Sequence, residues 1–173
     1  VYALQGKTDY ATAASNRALE RAKLNKDGLS QVIAHVFSAT KCLFLGQIEE
    51  AHHLARIAHK GAQQMGYRQW IAQSKLQLAR VADLTGDPGA LEDLQQALSE
   101  YQQTNMVLAR PYAQVWIADA MIRRGQFRSA LQELDDLRSF TSSSKEQYFD
   151  AMAHKARELA LKKLEDEAII VPS

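Results

Sequence analysis

One cysteine, three prolines and eight glycines in 173 residues leave this chain short of three kinds of structural device. A lone Cys42 excludes an internal disulfide and a cysteine-rich zinc site, and it fits a reducing compartment. So few Pro and Gly residues provide too little turn chemistry for an all-β fold, in which short strands reverse often. Excess charge of one sign is missing as well: 21 Lys and Arg face 20 Asp and Glu, for a formal net charge of +1. Without a basic stripe to neutralise successive phosphates, direct nucleic-acid binding is not expected. No apolar run approaches the roughly 20 residues that span a bilayer, and no secretory signal is evident. A cytoplasmic location away from membranes is therefore the expectation. Val1 in place of Met reads as the start of a piece of a larger protein.

What the chain does have is helical periodicity. Its sharpest stretch is Arg110–Leu137. Pro111 suits a first helical turn, where its missing N–H is no loss, and Tyr112, Val115, Trp116, Ala118, Met121 and Ile122 recur at three- and four-residue steps. Arg123-Arg124-Gly125 is a helix stop, and Phe127, Ala130, Leu131, Leu134 and Leu137 mark a second helix that folds back on the first. Upstream, the same logic predicts helices over about 8–24, 29–45, 48–64, 70–84 and from Asp87 to about 101, with Asp87 as N-cap and Pro88 in the first position. Gln102–Asn105 is a polar break. Thr141-Ser142-Ser143-Ser144 reads as a loop with a good N-cap, followed by a last helix over 145–165 and a fraying tail.

The glycines repeat. Gly46, Gly86 and Gly125 follow one another at steps of 40 and 39 residues. Seven residues before each stands an alanine (Ala39, Ala79, Ala118), and a few residues after each stands another (Ala51, Ala90, Ala130). Small residues at matched points of paired helices allow close backbone approach, and their recurrence predicts stacked α-hairpins. The expected fold is all-α: a superhelix of antiparallel helix hairpins, about eight helices in one domain over 1–173, with repeats near 30–65, 68–104 and 108–140.

These positions resemble the tetratricopeptide repeat, whose small-residue, Gly-turn and Ala sites they match. They depart from it in period (the standard unit is about 34 residues) and in the large residue expected early in the first helix, which is His35, Lys75 and Gln114 here. The closing proline is also absent. A closer resemblance is to the C-terminal helical arrays of bacterial signal-transduction ATPases, as in regulators similar to the maltose-regulon activator and in ATPase-linked adenylate cyclases. It is carried by Arg110-Pro111-Tyr112, Ala118, Gly125-Gln126, Ala130 and Leu131, then Ala151 and His154-Lys155. The resemblance implies a regulatory scaffold that binds another protein, another domain of its parent or a second copy of itself, or else a small-molecule (inducer) sensor.

Candidate chemistry is thin. His52, His53 and His59 share a helix, but the same-face pair His52 and His59 is seven residues apart, too far for one ion, and no metal or cofactor is expected. His35 and His154 read as structural. Adjacent carboxylates, Glu49-Glu50 and Asp135-Asp136, point to different helix faces and cannot form a catalytic dyad. No triad order, phosphate loop or dinucleotide fingerprint is present, so no enzymatic activity is expected. If the first helix of each hairpin lines the concave side of a superhelix, then Thr40, Leu43, Gln73, Arg80, Asp83, Tyr112, Asp119 and Arg123 lie near that face. Arg80 and Arg123 could clamp a carboxylate with Tyr112 as a flat contact, or Arg80–Asp83 and Asp119–Arg123 could simply pair with each other on a wet helix surface.

Overall fold

A computed structural model of the chain describes residues 2–144 and 149–170. Among the described residues there are eight α-helices and no strand: α1 (Thr8–Asn25), α2 (Gly28–Phe44), α3 (Ile48–Met65), α4 (Arg68–Leu84), α5 (Ala90–Gln102), α6 (Arg110–Arg123), α7 (Phe127–Ser144) and α8 (Asp150–Ile170). They fall into two compact units, Val1–Met106 and Val107–Ser173. In the first unit each helix packs on the next in chain order from α1 to α5, and α2 also touches α4, so one hairpin lies against the following one. In the second, α6, α7 and α8 pack mutually, apart from direct succession, through α6 against α8.

The glycine turns explain why the helices stop where they do. Gly46, Gly86 and Gly125 have φ of 71°, 92° and 73°, the left-handed region in which a Cβ is penalised. At each turn the same two hydrogen bonds close the preceding helix. The glycine N–H donates to the carbonyl of Leu43, Asp83 or Ile122, and the next N–H donates to Cys42, Ala82 or Met121 at 2.9 Å. This is the Schellman arrangement, which satisfies carbonyls left over at a helix end. Gly66 closes α3 in the same way. Ala39, Ala51, Ala79, Ala90, Ala118 and Ala130 are all buried, none more than 6% exposed.

Two boundaries differ from the sequence expectation. Thr141–Ser144 is the end of α7 rather than a loop, because the hydroxyls bond backwards: Ser142 Oγ donates to the Arg138 carbonyl at 2.7 Å and Thr141 Oγ1 to the same oxygen at 3.3 Å. Hydroxyl bonds to the carbonyl three or four residues back are compatible with a helical backbone, and the expected capping of the last helix falls outside the described residues. The last helix is found from Asp150 and continues to Ile170, past the expected end and through the start of the tail; the expected start at Lys145 lies outside the described residues. Asp87 accepts the Gly89 N–H at 2.9 Å, so it caps a turn containing Pro88, and α5 proper begins at Ala90.

The core of the first unit includes Val32 and Val36 of α2 against Ala58 and Ala62 of α3, with Trp70 and Ile71 of α4 packed on them. Gly61 stands in the middle of α3, where glycine costs ~1 kcal/mol relative to alanine. Its role is steric: a Cβ there would lie 2.8 Å from Val32 Cγ2, and Val32 is 3% exposed. Gly61→Ala is expected to destabilise by about 1–2 kcal/mol despite the better propensity, and to become stabilising in a Val32→Ala background. Urea denaturation of the two pairs checks this; stabilisation in the native background would refute the close approach.

Candidate functional site

The eight residues anticipated on a concave face are placed as follows. In the first unit, Thr40 and Leu43 of α2 and Gln73 and Asp83 of α4 are buried, and the Arg80 side chain retains 11% of its exposure. Arg80 Nη1 donates to Asp83 Oδ2 at 2.8 Å, and the Asp83 side chain is wholly enclosed. In the second unit, Tyr112 is 4% exposed; its ring lies 4.7 Å from that of Trp116 and 5.7 Å from that of Phe149. Asp119 and Arg123 pair with each other one helical turn apart and stay partly open, at 31% and 38%. Both arginines are thus engaged by carboxylates of their own helices, as the spacing allowed, but the Arg80–Asp83 pair is buried rather than on a wet helix surface.

The structure joins Thr40 to a residue absent from that set. Gln77 of α4, fully buried, donates from Nε2 to the Val36 carbonyl and to Thr40 Oγ1, both at 2.7 Å. Thr40 in turn donates to Val36 O at 3.1 Å, so one side chain of α4 ties off a turn of α2. Gln77 Oε1 is buried with no hydrogen-bond partner among the described residues. Removing either partner of the Gln77–Thr40 bond leaves the other short. A double-mutant cycle of Thr40→Val and Gln77→Leu is expected to show about 1 kcal/mol of coupling. Additive effects in thermal melts would contradict the α2–α4 contact.

A second polar cluster crosses α3, α4 and α5. Ser74 Oγ, fully buried, is within 2.8 and 2.9 Å of the Trp70 and Ile71 carbonyls and 2.9 Å from His59 Nδ1. With the hydroxyl proton committed to those carbonyls, Ser74 accepts from His59, so Nδ1 carries the proton. Burial, helped by the Lys75 charge, pushes His59 below its ordinary value. Lys75 Nζ bonds Glu100 Oε2 at 2.7 Å, and that bond holds the Glu100 carboxyl below its usual range. For His59 the native state resists protonation more than the unfolded chain, so its contribution is complete above about pH 6.5 and declines as pH falls below it. Melting temperatures at pH 7.5 and 5.5 are expected to differ more for the native chain than for His59→Gln.

In the second unit, Gln114 is 3% exposed and uses both ends of its amide. It accepts from Arg110 Nε at 3.1 Å and donates to Glu133 Oε1 at 2.9 Å. Burial raises Glu133, opposed by that hydrogen bond. The Arg110 guanidinium lies 4.1 Å over the Phe140 ring. Arg110, Gln114 and Glu133 thus form a hydrogen-bonded triad between α6 and α7.

The remaining candidates are placed plainly. Cys42 is fully buried, and burial pushes its thiol up, away from the thiolate form. His35 Nδ1 lies 2.6 Å from the Gln31 carbonyl, and exposed His154 lies 3.3 Å from Glu158. Among the described residues no group of three or more His, Cys, Asp and Glu side chains is placed to hold a metal ion. No helix among them is long and apolar enough to cross a membrane.

Two open grooves of the first unit border α4, one of them together with α3. One, of about 640 Å³, is lined by Glu49, His52, His53, Arg56, Ile57, His59, Lys60 and Gln63 with Leu78 of α4. Another, of about 380 Å³, shares Leu78 and runs between α4 and α5 past Lys75 and Glu100. No protein-family model, curated protein or solved structure matches this chain.

Proposed function

We propose that this chain is a non-catalytic protein-interaction module of the tetratricopeptide type that its repeat resembles. In this reading it is the regulatory scaffold of a bacterial signalling or transcription-regulating protein and works in the cytoplasm. Its partner is another protein, another domain of its parent or a second copy of itself. The observation that supports this is the identical Schellman closure at Gly46, Gly86 and Gly125, which ends the first helix of three successive hairpins in one geometry. Repeated hairpins present long helix faces at a fixed spacing, and such faces suit macromolecular partners better than enclosed pockets suit metabolites. The grooves described above are open troughs on those faces.

Sensing of a small inducer is the alternative. The aromatic on which it would depend, Tyr112, is packed between Trp116 and Phe149 and nearly all of its surface is covered. A thermal-shift screen against cellular metabolites separates the two readings. A specific small ligand at 100 times its dissociation constant would stabilise the chain by ~2.7 kcal/mol. The scaffold reading predicts no metabolite with such an effect, and one that produces it overturns that reading.

A further inference from the structure

We infer that the outer face of α3 is a docking surface for an acidic amphipathic helix of a partner protein. The inference rests on the interaction-module reading and goes beyond it to the surface and the chemistry of the partner. It lies on the second helix of the first hairpin, apart from the eight residues considered for a concave face.

Along α3, Glu49, His53, Arg56, Lys60 and Gln63 fall at steps of three and four residues, so they form one stripe, with His52 beside it. From Glu49 to Gln63 the stripe covers about 21 Å of helix, or four turns. All six side chains are exposed. Among the described residues the side chains of His52, His53, Arg56 and Lys60 have no hydrogen-bond or ion-pair partner. Other exposed cations, Arg17, Arg21 and Arg68 among them, share this, whereas Lys75, Arg80, Arg123 and Arg157 are each held by a carboxylate of the chain. Glu49 is the one carboxylate of the trough, and it sits in the first turn of α3, where the helix dipole already accounts for it.

Beside Arg56 and Lys60 lie two apolar side chains: Ile57 is 40% exposed and Leu78 of α4 is half-buried, both lining the same trough. A helix that presents carboxylates at one edge and leucine-sized side chains at the next would satisfy both at once. A duplex nucleic acid needs a run of cations, and two arginine and lysine side chains in a chain of net charge +1 do not supply one. The charge and the apolar floor together select an acidic protein helix.

The test uses the whole chain and a fluorescein-labelled amphipathic peptide of about 15 residues, long enough to match the stripe, with Glu and Leu at helical spacing. Anisotropy should show saturable binding at low salt that weakens about tenfold by about 0.3 M salt. Arg56→Glu/Lys60→Glu should weaken it at least about tenfold, and Arg123→Glu should leave it unchanged. Replacing the peptide's leucines by serines should remove binding too. Circular dichroism confirms that the variant is folded; were it not, Arg56→Gln/Lys60→Gln serves the same purpose. Absent binding, equal binding by the charge-reversed chain, or equal binding of a DNA duplex of matching charge each overturns the proposal. A partner that still binds another face of the chain would then leave the interaction-module reading standing.

Discussion

Truncating Asp83 to alanine is expected to cost about 3 kcal/mol and to lower Tm by roughly 6–12 °C. The reason lies in the burial of its ion pair. The carboxylate is fully enclosed and its partner Arg80 is 11% exposed, with the charged atoms 2.8 Å apart. On a wet helix surface an i,i+3 pair contributes a few tenths of a kcal/mol. Here the carboxylate is shut off from water and the guanidinium nearly so, and removing Asp83 takes a close counter-charge from a largely desolvated Arg80. The double substitution Arg80→Leu/Asp83→Leu should recover most of the loss, since apolar side chains need no partner. A cost below about 0.5 kcal/mol for Asp83→Ala would show that the pair is open to water.

Trp116→Ala is expected to be comparably severe, about 3–5 kcal/mol. Eleven of the fourteen residues of α6 are buried, Trp116 among them, so a side chain lost from that part of the helix leaves a void. Trp116 is 3% exposed and tilts against Tyr112 with an interplanar angle of 52°. Removing the indole deletes both the packing and the ring pair, and it exposes a Tyr112 edge that also contacts Phe149. Trp116→Phe should keep much of the stability by retaining an aromatic partner. Chemical denaturation followed by circular dichroism checks both; an alanine variant within about 1 kcal/mol of the native chain would contradict this packing.

The sequence made the helix pattern legible where local chemistry decides it. Gly46, Gly86 and Gly125 were readable as stops because only glycine enters the left-handed turn cheaply, and α1 to α6 follow the apolar steps to within a few residues. It misled at Thr141–Ser144, where the hydroxyls bond back to Arg138. A serine run carries the same composition whether it caps the next helix or extends the last, and the choice depends on rotamers that spacing does not encode. The apolar steps in α6 also implied one buried face, whereas Gln114 is buried with the rest.

The polar contacts were much less legible. Pairs within one helix, Arg80–Asp83 and Asp119–Arg123, were open to inspection because three- and four-residue spacing sets them side by side. Gln77 reaches Val36 and Thr40 across 41 and 37 residues, and Ser74 reaches His59 across 15. Such bonds depend on how one helix rotates against its neighbour, which no local pattern states. The stripe on α3 was visible only as three crowded histidines. Arg56 and Lys60 join that pattern once the structure places them on one exposed face with His53 and beside Ile57.

Affinity capture from source lysate tests the central claim most directly. The native chain and Arg56→Glu/Lys60→Glu are immobilised side by side, and bound proteins are identified by mass spectrometry. The account predicts a protein enriched by the native chain in near-stoichiometric amount and lost from the variant. No protein above background, with no self-association of the purified chain, would contradict it.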